Sequence, residues 1–143
     1  KARFGVINEL YQDLLDSGIT DVKMIGINGS QYIEDSIDCM ICNEDCESST
    51  CSDGPRILPW GQDTDDGYNC SHGNQGLCEG GDETGDIWDL WDIVLRDFII
   101  LDRDGVEFAR INLTYNNPDP NDSLGECSDN YQKIKDLILA ARQ

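Results

Sequence analysis

The chain has 143 residues, 38% of them hydrophobic, and a formal net charge of −19. Its length and apolar fraction suit one globular domain, 1–143, with a proper core. The charge argues against nucleic acid and anionic membrane surfaces as partners, because both require basic patches.

Residues 1–17 read as a helix with Phe4, Ile7, Tyr11, Leu14 and Leu15 on one face. Gly18 is a good residue to end it. Its start is irregular: no capping residue precedes the first turn, and Lys1 and Arg3 have the wrong sign for a helix N-terminus. The helix reads as one that begins upstream of Lys1. Residues 21–28 read as a buried strand leading into an Asn28-Gly29 turn, and 31–40 as a short helix. Residues 41–56 and 61–85 are rich in Cys, Gly, Asp, Asn and Ser, with little periodicity. Both read as loops held by disulfides, flanking Leu58-Pro59-Trp60.

The stretch 86–113 organises the rest. It reads as a short helix, then the apolar strand Phe98-Ile99-Ile100-Leu101. The turn Asp102-Arg103-Asp104-Gly105 follows, with Asp-Gly the strongest short hairpin signal. Val106, Phe108 and Ile111 continue the return strand. A polar loop with two prolines, 115–129, leads to a helix over 131–142. Tyr131, Ile134, Leu137, Ile138 and Ala141 form its apolar face, and Ser128 or Asp129 can cap it.

Seven cysteines are present: Cys39, Cys42, Cys46, Cys51, Cys70, Cys78 and Cys127. Their irregular gaps and the single histidine, His72, fit a disulfide-stapled secreted protein better than a zinc cluster. Four N-glycosylation sequons point to the same compartment, at Asn28, Asn69, Asn112 and Asn121. No apolar run is long enough to span a membrane. The start at Lys1, without methionine or signal peptide, suggests a mature or cut product.

The order of elements, with Leu58-Pro59-Trp60, Gln62-Asp63, Asp86-Ile87-Trp88-Asp89-Leu90 and the run from Asp97-Phe98 through Asp102-Arg103-Asp104-Gly105, resembles the N-terminal, thioredoxin-like domain of selenoprotein P. The likeness covers most of the chain except the Cys-rich insertions. It implies an α/β thioredoxin-like fold with disulfide-rich loops at about 39–56 and 61–85. It also implies that Pro59 is a cis-proline, forming a wall that offers backbone to an extended peptide. The family's redox motif, a Cys- or selenocysteine-x-x-Cys pair opening the first helix, would end immediately before Lys1. The central first strand would precede it. Unpaired buried backbone is too costly to leave. Three readings follow: a native chain that is longer, a cleaved upstream piece that stays bound, or a strand donated by a neighbouring subunit.

Other groups have plainer readings. Cys39-Met40-Ile41-Cys42 is the one CxxC. Its acidic neighbours Asp38, Glu44 and Asp45 raise thiol pKa, so it reads as structural disulfide rather than redox pair. An odd cysteine count leaves one thiol over, and Cys127, remote from the cluster, is the candidate for an inter-subunit or long-range bond. Asp63-Thr64-Asp65-Asp66-Gly67 lacks EF-hand spacing and reads as an acidic turn, with no metal assigned. Trp88 and Trp91 read as core or subunit contact. Asp102, Arg103 and Asp104 read as turn chemistry. His72 is a weak catalytic candidate, and no catalytic residue or cofactor is assigned.

The leading expectation is a secreted, N-glycosylated module without a competent redox motif, acting in extracellular assembly or binding. Self-association into a filament, completed by a neighbour's strand, is its specific form. The alternative is a thiol-disulfide or peroxide oxidoreductase whose redox pair lies upstream of Lys1.

Overall fold

The computed structural model describes residues 2–32, 38–43, 46, 51, 54–63, 86–121 and 128–143. Its elements, in order, are α1 (Ala2–Asp16), β1 (Gly26–Asn28), a 3-10 turn (Ser30–Tyr32), α2 (Asp38–Ile41), β2 (Trp60–Gln62), α3 (Asp86–Leu90), β3 (Asp97–Leu101), β4 (Glu107–Asn112) and α4 (Ser128–Ala141). The architecture is mixed helices with small sheets. Contacts divide the chain into two compact units, one of 1–24 with 95–143, the other of 25–94.

The first unit is built on periodicity. On α1, Val6, Ile7, Leu10, Tyr11 and Leu14 are buried. Leu10 and Leu14 are fully so. Leu10 and Val6 complete a stripe wider than the sequence pattern picks out. The helix closes in a Schellman motif: Gly18 N–H donates to the Leu15 carbonyl at 2.9 Å and Ile19 N–H to the Leu14 carbonyl at 2.9 Å. Gly18 stands at φ +78°, where a Cβ would be strained. On α4, Ile134, Ile138 and Ala141 are buried, while Tyr131 and Leu137 are half-buried. Ser128 and Asp129 both lie inside this helix, so Asp129 acts from the first turn, where negative charge suits the dipole. Tyr131 OH donates to the Asp13 carboxylate at 2.5 Å, joining α4 to α1. Burial first, and that hydrogen bond second, push the phenol well above its ordinary range.

The hairpin is antiparallel, with Phe98 opposite Ile111 and Ile100 opposite Ala109. Its register slips between Ile100 and Leu101, and Leu101 then faces Glu107. Phe108 is the extra residue of this bulge. Gly105 supplies the φ of +78° that the turn requires. Asp102 Oδ1 accepts from the N–H groups of Asp104 and Val106 at 2.9 and 3.0 Å, so the side chain replaces a backbone turn partner. One face, through Ile100, Ile111 and the adjoining Leu113, is buried. The other carries Arg110, which reaches Glu107 at 2.7 Å and Asp97 at 3.4 Å.

Two arginine pairs make this unit acid-sensitive. Arg142, hydrogen-bonded at 2.7 Å with Arg103 farther off, holds the Asp21 carboxyl below its usual range. Arg110 does the same to Glu107. A folded pKa below the unfolded value gives stabilisation that is complete above the unfolded value, roughly 4, and lost as pH falls through the folded value. Asp21→Asn is therefore expected to lower the urea midpoint at neutral pH and to lower it less in acid, once pH has fallen through the folded value. An equal shift at both pH values would contradict this assignment.

The second unit departs from the sequence expectations. The strand expected over 21–28 narrows to Gly26–Asn28, which is half-buried, and Ile25 is 61% exposed. Its partner explains the length. β1 pairs in parallel with β2, from Gly26 opposite Trp60 to Asn28 opposite Gln62, and β2 has three residues. The short helix expected over 31–40 divides between the 3-10 turn and α2, and 33–37 lie outside the described residues.

Candidate functional site

The sequence-singled residues of the second unit gather around two anchors. The first is a knot of four cysteines. Cys39 bonds to Cys46 and Cys42 to Cys51. The CxxC cysteines are thus each tied to a different partner seven or nine residues on, not to each other. Such short loops close at small entropic cost, which favours these pairings over distant ones. Cys51 Sγ lies 3.5 Å from Cys46 Sγ, so the two bonds touch. Cys42 is 4% exposed and stands at φ +54°, ending α2. Asn43 folds back on Asp38 through both its backbone N–H and its side-chain amide.

Arg56 ties this knot to the proline segment. Its N–H donates to the Ile41 carbonyl at 2.9 Å and its guanidinium to the Met40 carbonyl at 2.8 Å. Three residues on, the Pro59 carbonyl accepts from Gly26 N–H at 2.9 Å. Among the described residues no peptide bond is cis, so the bond before Pro59 is trans and the cis-proline expectation is corrected. Trans is the default unless surrounding contacts favour the alternative. Pro59 has no N–H, and its carbonyl works inside the β1–β2 sheet rather than facing an extended peptide.

The second anchor is Asp63, a carboxylate 2% exposed. Its oxygens accept from Ile87 N–H at 3.0 and 3.1 Å and from Trp88 N–H at 3.0 Å. These are orphan donors of the first turn of α3, so Asp63 caps a helix that starts 23 residues later in the sequence. Its own N–H donates to the Asn28 carbonyl at 2.8 Å, fixing the cap to the end of β1. Asp63 thus serves a structural role in place of the acidic turn expected for it. Trp88 is buried, with its ring edge-on to Tyr32 at 6.3 Å between centroids. Its indole N–H has no hydrogen-bond partner among the described residues. Trp91 is 37% exposed just past the end of α3, where its N–H still donates to the Ile87 carbonyl at 3.1 Å.

The sequons separate by geometry. Asn28 Nδ2 donates to the Tyr32 carbonyl at 2.9 Å and to Gln62 Oε1 at 2.8 Å. Asn112 Nδ2 donates to the Leu95 carbonyl at 3.0 Å and to Asp97 Oδ1 at 2.8 Å, while its Oδ1 receives Thr114 N–H. Both amide hydrogens are used at each site, and a sugar would replace one of them. Asn121 is exposed, and among the described residues its backbone N–H alone is engaged, with Asp119 at 2.8 Å. Asn69 lies outside the described residues, as do His72, Cys70, Cys78 and Cys127.

Among the described residues no group of three or more His, Cys, Asp or Glu is placed to hold a metal ion. No helix among them is long and apolar enough to cross a membrane. A shallow, open depression runs along α4, lined by Asp129, Gln132, Lys133, Asp136, Leu137 and Ala140. No family model, curated protein or solved structure matches this chain.

Proposed function

We propose that this chain is a secreted, N-glycosylated, thioredoxin-like module of extracellular assembly or binding, joined to neighbouring copies by strand pairing. One observation carries the reading. Each sheet among the described residues has two strands, β1–β2 and β3–β4, and a two-stranded sheet is marginal alone in water. The hairpin also displays Leu101, Val106 and Phe108, which are 40, 59 and 45% exposed near its tip. A strand from a second copy would extend a sheet and cover apolar surface there. The disulfides support an oxidising compartment. The tying of Cys39 and Cys42 to separate partners supports a staple over a redox pair.

The test is expression through a eukaryotic secretory route, followed by glycopeptide mapping and light scattering. The expected result is sugar at Asn121, none at Asn28 or Asn112, and assemblies larger than one copy that Phe108→Lys dissociates. A deglycosylated monomer of 16.0 kDa would remove the assembly reading. Retention of an unglycosylated chain in the cell would remove the secreted one.

A further inference from the structure

We propose that the four-cysteine knot is an exchange relay, in which reduction of Cys39–Cys46 ends as a dithiol at Cys39 and Cys42. It does not depend on the assembly reading. Its substrate class is a soluble dithiol reductant.

Burial sets where reduction begins. Cys42 is 4% exposed, while Cys39, Cys46 and Cys51 are half-buried. An external thiolate therefore meets the Cys39–Cys46 bond more readily than the Cys42 end of the other. It attacks Cys39 Sγ, and Cys46 leaves as a thiolate. The second thiol of the reductant attacks the mixed disulfide, frees Cys39 as a thiol, and closes the reductant's own disulfide.

The Cys46 thiolate is then 3.5 Å from Cys51 Sγ, a sulfur already in a disulfide. Attack there forms Cys46–Cys51 and breaks Cys42–Cys51. Cys42 leaves as a thiolate and takes a proton from solvent. Two electrons and two protons have entered from the reductant, one disulfide remains in the knot, and the CxxC pair holds two thiols.

Two features favour this end point. Cys46 and Cys51 are five residues apart, against nine for Cys42 and Cys51, so the final disulfide closes the smaller loop. Cys42 is 4% exposed, and the neutral thiol left there behaves as a small buried hydrophobe.

The experiment treats the full disulfide-bonded chain with limiting dithiothreitol, quenches with acid, alkylates, and maps labelled peptides by mass spectrometry. The expected two-electron product of the knot carries label on Cys39 and Cys42 and retains a Cys46–Cys51 bond. Label on Cys39 with Cys46, or on Cys42 with Cys51, as the sole product would show each bond opening by itself and overturn the relay. The Cys42→Ser/Cys51→Ser variant is expected to move the label to Cys39 and Cys46. If wild type and variant label the same pair, the relay is refuted.

Discussion

Replacing Leu14 with alanine should destabilise the first unit by about 2–5 kcal/mol. Leu14 is fully buried, as is Leu10 one turn earlier. Deleting its isobutyl group removes transfer free energy and leaves a cavity that neighbours fill only in part. It stands at the third position from the end of α1, where its carbonyl also receives Ile19 N–H. The side chain is lost while that capping bond stays, so the loss isolates packing. Urea unfolding followed by far-UV circular dichroism reads it. Gln12→Ala, on the exposed face and bonded to Asp16, is the control and should stay within about 0.5 kcal/mol of wild type. Equal shifts for the two would mean that this face of α1 is not core.

The second large effect is expected at Asp63. Asp63→Ala strips the acceptor from Ile87 and Trp88 N–H and leaves donors unsatisfied at a partly buried helix start. Bonds to a charged acceptor contribute about 1.5–3 kcal/mol each, so losing the two N–H partners should cost about 3–6 kcal/mol. Asp63→Asn keeps one acceptor oxygen and should lose about half as much. Hydrogen exchange at the Ile87 and Trp88 amides separates the cases. Protection should collapse in the alanine variant and fall partly in the asparagine variant. Unchanged protection in both would remove Asp63 from its capping role.

Legibility in the sequence followed the range of the interactions. α1, α4 and the hairpin were readable because 3.6-residue and two-residue periods run through them, and because Gly18 and Asp104-Gly105 mark their ends. β1 and β2 were not, since three residues carry no period and their pairing joins Gly26 to Trp60 across the cysteine knot. Asp63 was hidden in an acidic run, and nothing local distinguishes a cap whose helix starts at Asp86. The spacing of Cys39 and Cys42 invited a paired motif, yet each bonds downstream. Sequons were visible as triplets, but their amide partners, Gln62 for Asn28 and Leu95 for Asn112, come from tertiary structure.

The bond between Tyr131 and Asp13 spans 118 positions of chain. During synthesis at about 5–20 residues per second, α1 therefore leaves the ribosome roughly 6–24 s before α4 can meet it. Its apolar stripe, Val6 through Leu14, waits through that interval without its final partner. In the sequence the cysteine knot comes between them, with sequence separations of seven and nine, and its bonds can close while α1 is still waiting. Translation order thus finishes the inner staple first and the flanking helix pair last. A ribosome stalled before Ser128 should hold a nascent chain whose Cys39–Cys46 and Cys42–Cys51 bonds are already closed but whose first helix still lacks its bond to Tyr131.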